Sequence, residues 1–342
     1  MSTCQRYRPL YVSVSLLTFA AVILLLSGCG GPFFISQEDL EEFLELTEPV
    51  PRFVAVGSSG QAFWSRDGTQ WTDCSYGAAD LTGIAYGNGR FVAVGMGGAA
   101  QWSEDGTGDW KDSSPGGSDL YAITFGNGRF VAAGQTGQVW WSTSGDSGTW
   151  ASSSTGASTL YGVSYGGGRF VAVDNGGQAY WSNDATAGSW SGANPTGAGI
   201  AYGVTYGSDR FVAACSTASN ANWSTDGTGW GSATAGGNDL YGTAYGNGRF
   251  VAVGFSGAAW WSYDGTAASW VDSSPGGNNL NGVTYGADNG ERRFVAVGDS
   301  GQVFWSQDGS GWNGDGAGSG VLKAVTFALL ENEDFNLEEP LE

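Results

Sequence analysis

Histidine is absent from this chain of 342 residues, and 13 lysines and arginines stand against 33 acidic residues. Without imidazole, the chain has no side chain that ordinarily titrates near neutrality, and it lacks a common zinc ligand. The formal net charge of −20 disfavours nucleic acid and anionic lipid headgroups as partners, because a polyanion would be repelled. We therefore expect no nucleic-acid partner, no metal site and no cofactor.

Long apolar runs are also scarce, and the one present, Leu10 to Leu26, follows Arg6 and Arg8 near the N-terminus. This arrangement is typical of a secretory signal peptide, predicted here over residues 1–28. Leu26-Ser27-Gly28-Cys29 resembles the lipobox of bacterial lipoproteins, which implies that Cys29 is acylated and becomes the mature N-terminus. The alternative is an uncleaved transmembrane anchor, because a run of about seventeen apolar residues is at the short limit for crossing a bilayer.

Either alternative predicts an exported protein attached to the cell envelope. Gly30 follows the lipobox cysteine, which in that family implies the outer membrane where the host has one. Residues 29–50 are predicted to form a tether with one short acidic amphipathic helix that begins near Ser36, and residues 329–342 an acidic tail.

Cysteine is too sparse for a disulfide framework. Cys4 lies in the signal peptide and Cys29 carries the predicted lipid, which leaves Cys74 and Cys215. These two fall in different repeats and at different positions within the repeat, so we expect two buried free thiols.

A repeat of about forty residues dominates the remainder of the chain. The phrase Arg-Phe-Val-Ala occurs seven times, opening at Arg52, Arg90, Arg129, Arg169, Arg210, Arg249 and Arg293. Self-similarity at this period indicates supersecondary units that bury their apolar surfaces only by stacking on one another.

Each repeat reads as four short strands, which we label A to D; in one copy they are Leu120 to Phe125, Arg129 to Ala133, Gln138 to Ser142, and a segment from Trp150. The segments are rich in β-branched and aromatic residues and are bounded by Gly, Asn, Asp or Ser. Seven such units predict an all-β fold, a seven-bladed β-propeller of four-stranded antiparallel blades over residues 51–328.

The ends of the array predict how the ring closes. The first copy begins at strand B with Arg52, whereas the last segment, Val321 to Phe327, is a strand A with no B after it. Pairing of the C-terminal strand with the N-terminal blade would complete one blade and remove two free edges. The adjacent aromatics of strand C, such as Trp140-Trp141, are predicted to pack toward opposite neighbouring blades.

The turn between strands C and D carries Ser-x-Asp-Gly followed by Trp, which resembles the Asp box of the bacterial neuraminidase repeat. The acids are Asp67, Asp105, Asp184, Asp226, Asp264 and Asp308, and the remaining copy has Ser144 instead. The resemblance implies a sialidase-like propeller in which these acids are structural. The repeat also resembles that of the assembly-factor propellers related to photosystem stability proteins, and this resemblance implies a protein-docking role.

The catalytic residues that such enzymes use are not recognisable. Only Arg66 and Arg292 lie outside the repeated arginine position of the array, no Arg-Ile-Pro motif occurs, and no pair of carboxylates for glycoside hydrolysis stands out. A repeated arginine at the same end of the blade as the C-to-D turn is best explained by pairing with an Asp-box carboxylate. We therefore predict no enzymatic activity and no catalytic residues.

Specificity is expected where the repeats differ, on the face formed by the D-to-A and B-to-C connections. Asp80, Asp119, Thr159, Gly199, Asp239 and Asn279 precede strand A, and the B-to-C turns add residues such as Asp174 and Asp299. The candidate binding residues are Asp80, Asp119, Asp174, Asp239, Asn279 and Asp299; ordinary drift in exposed turns is the alternative for any one of them. A cation there is only weakly indicated.

These observations predict a monomeric, non-enzymatic exported lipoprotein that acts as a binding or scaffold propeller for a protein or glycan partner. The alternative function is a glycan-binding lectin or a glycoside hydrolase of sialidase-like fold.

Overall fold

The computed structural model describes residues 49–195, 199–216, 221–267, 269–288 and 290–331. The predicted signal peptide, Cys29, the predicted acidic helix and residues 332–342 of the predicted tail lie outside these ranges. One compact unit spans Pro49–Leu330. Within the described ranges, no helix is long and apolar enough to cross a membrane.

The compact unit is an all-β, seven-bladed propeller, as predicted, in which every sheet is antiparallel. The strands lie in the order A-B-C-D in six blades and in the order A-B-C in blade 5. The strands, in that order, are Leu322–Leu330 (β27), Val50–Gly57 (β1), Ala62–Ser65 (β2) and Thr72–Asp73 (β3) in blade 1; Leu81–Gly87 (β4), Arg90–Gly95 (β5), Ala100–Ser103 (β6) and Lys111–Asp112 (β7) in blade 2; Leu120–Gly126 (β8), Arg129–Gly134 (β9), Gln138–Ser142 (β10) and Ala151–Ser154 (β11) in blade 3; Leu160–Gly166 (β12), Arg169–Asp174 (β13), Gln178–Ser182 (β14) and Ser191–Pro195 (β15) in blade 4; Ala201–Gly207 (β16), Arg210–Cys215 (β17) and Ala221–Ser224 (β18) in blade 5; Leu240–Gly246 (β19), Arg249–Gly254 (β20), Ala259–Ser262 (β21) and Val271–Asp272 (β22) in blade 6; and Leu280–Asp288 (β23), Glu291–Gly298 (β24), Gln302–Ser306 (β25) and Asn313–Gly316 (β26) in blade 7.

Short 3-10 turns connect strands B and C in five blades. They span Ser58–Gly60, Met96–Gly98, Gln135–Gly137, Phe255–Gly257 and Asp299–Gly301. The A-to-B hairpins of blades 2, 3 and 6 use Asn-Gly pairs with positive φ, such as Asn127 at 47° and Gly128 at 70°, because the tight hairpin turn needs left-handed backbone at both positions.

The predicted closure of the ring is confirmed. Strand β27 pairs antiparallel with β1, from Val50 opposite Leu330 to Gly57 opposite Leu322. The A strands also contact one another in an unbroken cycle, with β27 between β23 and β4. Strand A is therefore the innermost strand of each blade, and the two chain ends share blade 1.

Blade 5 departs from the predicted four strands. Its sheet has three strands, and an isolated bridge between Trp223 and Gly231 stands where a strand D was expected among the described residues. The segment contains Gly229, Gly231, Gly236 and Gly237, and glycine lacks a side chain to pack on a pleated surface. The segment is joined to strand C by a pair of backbone hydrogen bonds between Trp223 and Gly231 and by a longer one, at 3.3 Å, from the Ala221 N–H to the Ala233 carbonyl.

The Arg-Phe-Val-Ala phrase forms the core because strand B is buried on both faces. Six of its phenylalanines are fully buried, namely Phe91, Phe130, Phe170, Phe211, Phe250 and Phe294. Each of seven apolar clusters joins strand B residues of two neighbouring blades; one cluster, for example, joins Val92 and Val94 of blade 2 to Phe130 and Ala132 of blade 3.

The adjacent aromatics of strand C pack as predicted. Trp140 joins the cluster between blades 2 and 3, whereas Trp141 joins the cluster between blades 3 and 4. Successive side chains of a strand point to opposite faces, so one pair of rings serves two interfaces.

The two remaining cysteines are free thiols, as expected. Cys215 is buried, whereas Cys74 is only partly buried. Burial raises the pKa of the Cys74 thiol to about 12, so this thiol is protonated at neutral pH.

Candidate binding face at the channel mouth

The two ends of the propeller carry different chemistry. One end, which we call the arginine face, holds the A-to-B and C-to-D turns together with the arginines that open strand B. The opposite end, which we call the tyrosine face, holds the D-to-A and B-to-C connections and the starts of the A strands. Antiparallel pairing within each blade fixes this division.

On the arginine face, the Ser-x-Asp turns have one hydrogen-bond pattern. The serine Oγ accepts the backbone N–H three residues later in all seven blades, at 2.7–3.1 Å, and the serines are Ser65, Ser103, Ser142, Ser182, Ser224, Ser262 and Ser306. In six blades the aspartate Oδ1 also accepts the N–H two residues later, at 2.8–3.0 Å; these are Asp67, Asp105, Asp184, Asp226, Asp264 and Asp308.

These hydrogen bonds favour the ionised carboxylates. Desolvation by burial opposes ionisation of Asp67, but hydrogen bonds from Thr69, Gln70 and Ser65 outweigh it and lower its pKa to about 2. The pKa values of the other five aspartates are lowered as well, each in part by hydrogen bonds from its own turn.

We expect stability to fall in acid, because a carboxylate with a depressed folded pKa binds a proton more readily in the unfolded chain. The stabilisation is complete above the unfolded aspartate pKa of about 3.9 and is lost as the pH falls through the folded value, about 2 for Asp67. Melting temperatures between pH 7 and pH 2 should show this decline. The melting temperature of the Asp67→Asn protein should fall less than that of the native protein. The melting temperature of the Ser144→Asp protein should fall more, because this variant adds a carboxylate to the turn that lacks one. An equal fall in all three proteins would contradict the stabilising role of the turn carboxylates.

Five of the seven repeated arginines bond to the next blade, although mostly in a different way from the predicted carboxylate pairing, and Arg293 instead pairs with Glu291 of its own strand. Nη1 of Arg129, Arg169 and Arg210 donates to the backbone carbonyl of the turn aspartate in the next blade, at 2.7–2.9 Å. Arg249 bonds both the carbonyl and the carboxylate of Asp308. In blade 2, Arg90 reaches Asp146, two residues beyond Ser144, at 2.5 Å.

Each of these arginines also stacks on a tryptophan of strand C in its own blade, a contact that the sequence reasoning missed. The guanidinium carbon lies 4.1–5.4 Å from the ring centroid in all seven blades, and the rings belong to Trp64, Trp102, Trp141, Trp181, Trp223, Trp261 and Trp305. The signal was the constant presence of tryptophan at one strand C position in every repeat.

We expect Arg169→Met to lower the free energy of unfolding by about 1–2 kcal/mol, since it removes a charged hydrogen bond and a cation–π contact while keeping an apolar stem. Arg169 lies 4.7 Å from the Trp181 ring and 2.7 Å from the Asp226 carbonyl oxygen. Chemical denaturation measures the change. Arg66→Met, at an exposed side chain of the same face, should change stability by less than about 0.5 kcal/mol. Equal losses of stability in the two variants would contradict the role of Arg169 in joining blade 4 to blade 5.

On the tyrosine face, three of the predicted binding residues bridge adjacent blades. The side-chain oxygens of Asp80, Asp119 and Asn279 accept the backbone N–H of the second residue in the preceding blade's B-to-C turn, at 2.7–3.0 Å. Register places Ile200, rather than Gly199, at this position in blade 5. These polar side chains therefore hold the turns of this face together.

Asp174 and Asp299 belong to the B-to-C turns themselves. Asp174 is only 3% exposed, and its Oδ1 accepts two backbone N–H groups of its own turn at 2.8 Å, so it presents little surface to a ligand. The Asp299 oxygens accept side-chain amides of Asn279 and Asn281, both at 3.0 Å. Asp239 lies close enough to Tyr202 and Tyr241 to influence both phenols.

The feature of this face that sequence reasoning missed is a row of four tyrosines, Tyr121, Tyr161, Tyr202 and Tyr241, which we call the tyrosine arc. Their ring centroids lie 5.1, 5.7 and 5.1 Å apart in succession. The rings come from blades 3 to 6 and are half-buried. The signal was a tyrosine at the second position of strand A in four consecutive repeats.

A β-bulge aims these side chains. In every blade the register shifts at the second residue of strand A, which leaves that residue outside the regular pairing. Bulges commonly redirect side chains beside functional sites. Because strand A is innermost and begins on the tyrosine face, the seven second residues surround the mouth of the channel.

The arc covers four of the seven positions, and polar residues complete the ring. Asn281, Lys323 and Thr82 follow in blades 7, 1 and 2. Asn281 and Thr82 donate to carbonyl oxygens of the next blade, Leu322 at 2.8 Å and Leu120 at 2.6 Å. Lys323 is exposed between them.

Charge is distributed unevenly between the two faces. Of the 13 lysines and arginines, all except Arg6, Arg8 and Lys323 open strand B or lie in or beside the turns of the arginine face. On the tyrosine face, Lys323 is the one cation of the described ranges, against Asp80, Asp119, Asp174, Asp239 and Asp299. This face is therefore predominantly anionic.

The surroundings of Tyr121, Tyr202 and Tyr241 favour the neutral form of these three phenols. Burial, reinforced by nearby carboxylates, raises the pKa of Tyr121, Tyr202 and Tyr241. Among the described residues, no group of three or more His, Cys, Asp or Glu side chains is arranged to hold a metal ion.

Comparison with known proteins supports the fold alone. No family model matches the chain, and no curated protein matches it. Among solved structures, the chain is similar to a YCF48 protein bound to a D1 peptide, with a TM-score of 0.55 and 16% identity over 83% of this chain and 94% of the other. It is similar to YCF48 from Cyanidioschyzon merolae, with a TM-score of 0.54 and 14% identity over 73% and 95% of the two chains. A chain of a nidogen–laminin complex gives a TM-score of 0.54 and 11% identity over 82% and 99%.

Proposed function

We propose that this protein is a non-enzymatic binding propeller that docks a protein partner on its tyrosine face. The observation that carries the proposal is the tyrosine arc, four adjacent half-buried rings at the channel mouth. Tyrosine contributes a large contact area at a small entropic cost, and it is enriched in protein interfaces. The similar structures that contain a bound peptide or protein partner are consistent with such a role.

We further propose that the turn aspartates, Asp67 and its five counterparts, are structural rather than catalytic. Their carboxylates accept hydrogen bonds from their own turns, which argues against a role in acid–base chemistry. The repeated arginines are similarly occupied by tryptophan rings, so they are poorly suited to clamp a substrate carboxylate.

The protein is also proposed to be exported and lipid-anchored through Cys29, as a monomer, with residues 1–28 removed, a tether before the propeller and an acidic tail after it. The lipobox-like sequence supports this proposal. The propeller predicted over residues 51–328 extends in the structure from Val50 in β1 to Leu330 in β27. Cys29→Ser should release the protein into the soluble fraction of the producing cells. Retention of the variant in membranes would contradict the lipid anchor and favour an uncleaved segment.

The docking proposal is tested by capture from membranes of the producing organism with the full chain in detergent. We expect one or more proteins to be retained by the native chain and lost with the double variant Tyr161→Leu/Tyr202→Leu. Tyr263→Leu is the matched control, because Tyr263 lies beside a C-to-D turn on the arginine face and is 61% exposed. Equal capture by the native chain and the arc variant would refute the proposed face.

A glycan ligand is the second candidate, since stacked aromatic rings beside carboxylates also suit sugars. Binding of neutral oligosaccharides on a glycan array that disappears with Tyr161→Leu/Tyr202→Leu would favour it. Release of a fluorophore from aryl glycosides by the purified protein would contradict the non-enzymatic assignment.

A further inference from the structure

The tyrosine arc lies in a setting that favours a cationic ligand. The face of an aromatic ring carries negative potential, and a guanidinium or ammonium group within about 6 Å of the centroid is attracted to it. Four such rings lie side by side at the channel mouth. Among the described residues, no lysine or arginine of this chain covers them, whereas the seven strand C tryptophans on the other face are all covered.

Carboxylates surround these rings. Asp119 Oδ2 lies 3.5 Å from the Tyr121 hydroxyl. Asp239 acts electrostatically on Tyr202 and Tyr241, and Asp299 acts on Tyr241. Three acids thus lie along the arc, and hydrogen bonds from neighbouring groups hold Asp119 and Asp299 in place.

Lys323, the one lysine or arginine on this face among the described residues, lies outside the arc. It occupies the second position of strand A in blade 1, between Asn281 and Thr82. In a ring of seven blades, blade 1 is opposite the boundary between blades 4 and 5, which carry Tyr161 and Tyr202. The mouth is therefore polarised, with anionic aromatic surface on one side and a single positive charge on the other.

We propose that the tyrosine arc binds an arginine-rich, extended segment of the protein partner, with guanidinium groups over the tyrosine rings and Asp119, Asp239 and Asp299 around them. This inference rests on the proposed docking function and names its ligand class. Arginine is favoured over lysine because its planar guanidinium stacks on aromatic faces and is more weakly hydrated. The net charge of −20 over the chain would attract such a segment from a distance.

The test uses fluorescence anisotropy with the full chain in detergent and four labelled peptides of one design. These are Gly-Ser-Xaa-Gly-Xaa-Gly-Xaa-Gly-Ser, with Xaa as Arg, Lys, Gln or Glu. We expect affinity to decrease in the order Arg, Lys, Gln, with no measurable binding of the Glu peptide. Equal affinity for the Arg and Gln peptides, or measurable binding of neither, would overturn the proposal.

Variants distinguish binding of the Arg peptide at the tyrosine arc from its non-specific attraction to an acidic protein. Tyr161→Leu and Tyr202→Leu should each weaken the Arg peptide about two- to fivefold, the loss expected for one exposed cation–π contact. Tyr161→Phe and Tyr202→Phe keep the ring and should retain affinity within about twofold. Tyr263→Leu on the arginine face should leave affinity unchanged. Arg-peptide affinity that is the same in the native chain and in both leucine variants would overturn the proposal in favour of non-specific attraction.

Lys323 provides a test with the opposite sign. Lys323→Gln removes the like charge and should tighten the Arg peptide while leaving the Gln peptide unchanged; weaker Arg-peptide binding would contradict the model. Thermal unfolding of each variant checks that the propeller is intact. If membrane capture depends on Tyr161 and Tyr202 but the Arg and Gln peptides bind alike, the docking function stands and the arginine-rich ligand is refuted. If capture is unaffected by the arc variants, the docking face itself fails.

Discussion

A chain that ends at Gly320 is expected to lose its cooperative unfolding transition, because it lacks the strand that closes the ring. Strand β27 supplies the inner strand of blade 1 and pairs with β1 along its whole length. It also contributes Leu322 and Val325 to the core between blades 7 and 1, and Phe327 packs against Phe53 at a centroid distance of 4.7 Å.

The size of this effect follows from the groups removed. Loss of one large buried side chain costs about 2–5 kcal/mol, and a domain is stable by about 5–15 kcal/mol in total. Removing Leu322, Val325 and Phe327 together therefore approaches the whole stability. Strand β1 would in addition become an unpaired edge between two apolar surfaces, which favours aggregation.

Circular dichroism during heating and size-exclusion chromatography measure the outcome. The matched control is a chain that ends at Glu331, which keeps β27 and removes only residues 332–342. We expect this control to unfold with the midpoint of the full chain. A cooperative, monomeric Gly320-terminated chain would show that closure is not needed for folding.

Gly246→Ala is expected to destabilise the propeller by about 1–3 kcal/mol or more through overpacking. Gly246 ends strand A of blade 6, and an added Cβ would lie within 3.0 Å of the Tyr285 ring of blade 7. The nearest contact is Tyr285 Cγ, the ring atom closest to the backbone. The Tyr285 ring also packs on Phe294, with 4.9 Å between the ring centroids. Rotation of the ring cannot relieve the clash, so the blades themselves must separate.

The same arrangement recurs around the ring. Gly87, Gly126, Gly166 and Gly207 each lie under the first aromatic carbons of a Phe or Tyr in the next blade. An alanine at any of them should act like Gly246→Ala. The shared glycine allows the inner strands to approach closely enough to close seven blades.

Gly229→Ala is the matched control, because a Cβ at this position meets open space and its φ is not left-handed. We expect its free energy of unfolding, measured by urea denaturation, to stay within about 0.5 kcal/mol of the native value. Equal destabilisation by the two alanines would contradict the blade contact as the cause of the effect.

The repeat made the fold accessible to prediction. Seven copies of Arg-Phe-Val-Ala determine the number of blades, because each copy is one doubly buried strand B and each strand B packs against the next. The incomplete copies at Arg52 and at Val321 to Phe327 determine the closure, which the pairing of β1 with β27 confirms. Blade 5 has three strands rather than the predicted four, because the glycines near Gly231 weaken its outer strand.

The candidate site was less accessible to the same reasoning. The predicted binding residues before strand A include Asp80 and Asp119, which accept hydrogen bonds from the turns of the preceding blade, and these contacts could not be predicted from the repeat. The tyrosines two residues further along, such as Tyr121, recur with the period of the repeat, and that period does not show that their rings meet. The arginine pairing was likewise placed on carboxylates where Arg129 and Arg169 use backbone carbonyls, and periodicity carries no information about which acceptor atom is nearer.

The amino-acid sequence by itself determined the all-β class, the seven blades, the four strands of most blades and the closing strand. Each of these depends on local patterns repeated at a fixed period, and stacking of identical units leaves few alternatives. Only the tertiary structure decided that Tyr121, Tyr161, Tyr202 and Tyr241 form one continuous surface. These residues are about forty apart in the chain, and they meet because ring closure brings a bulge from each blade to the same channel mouth.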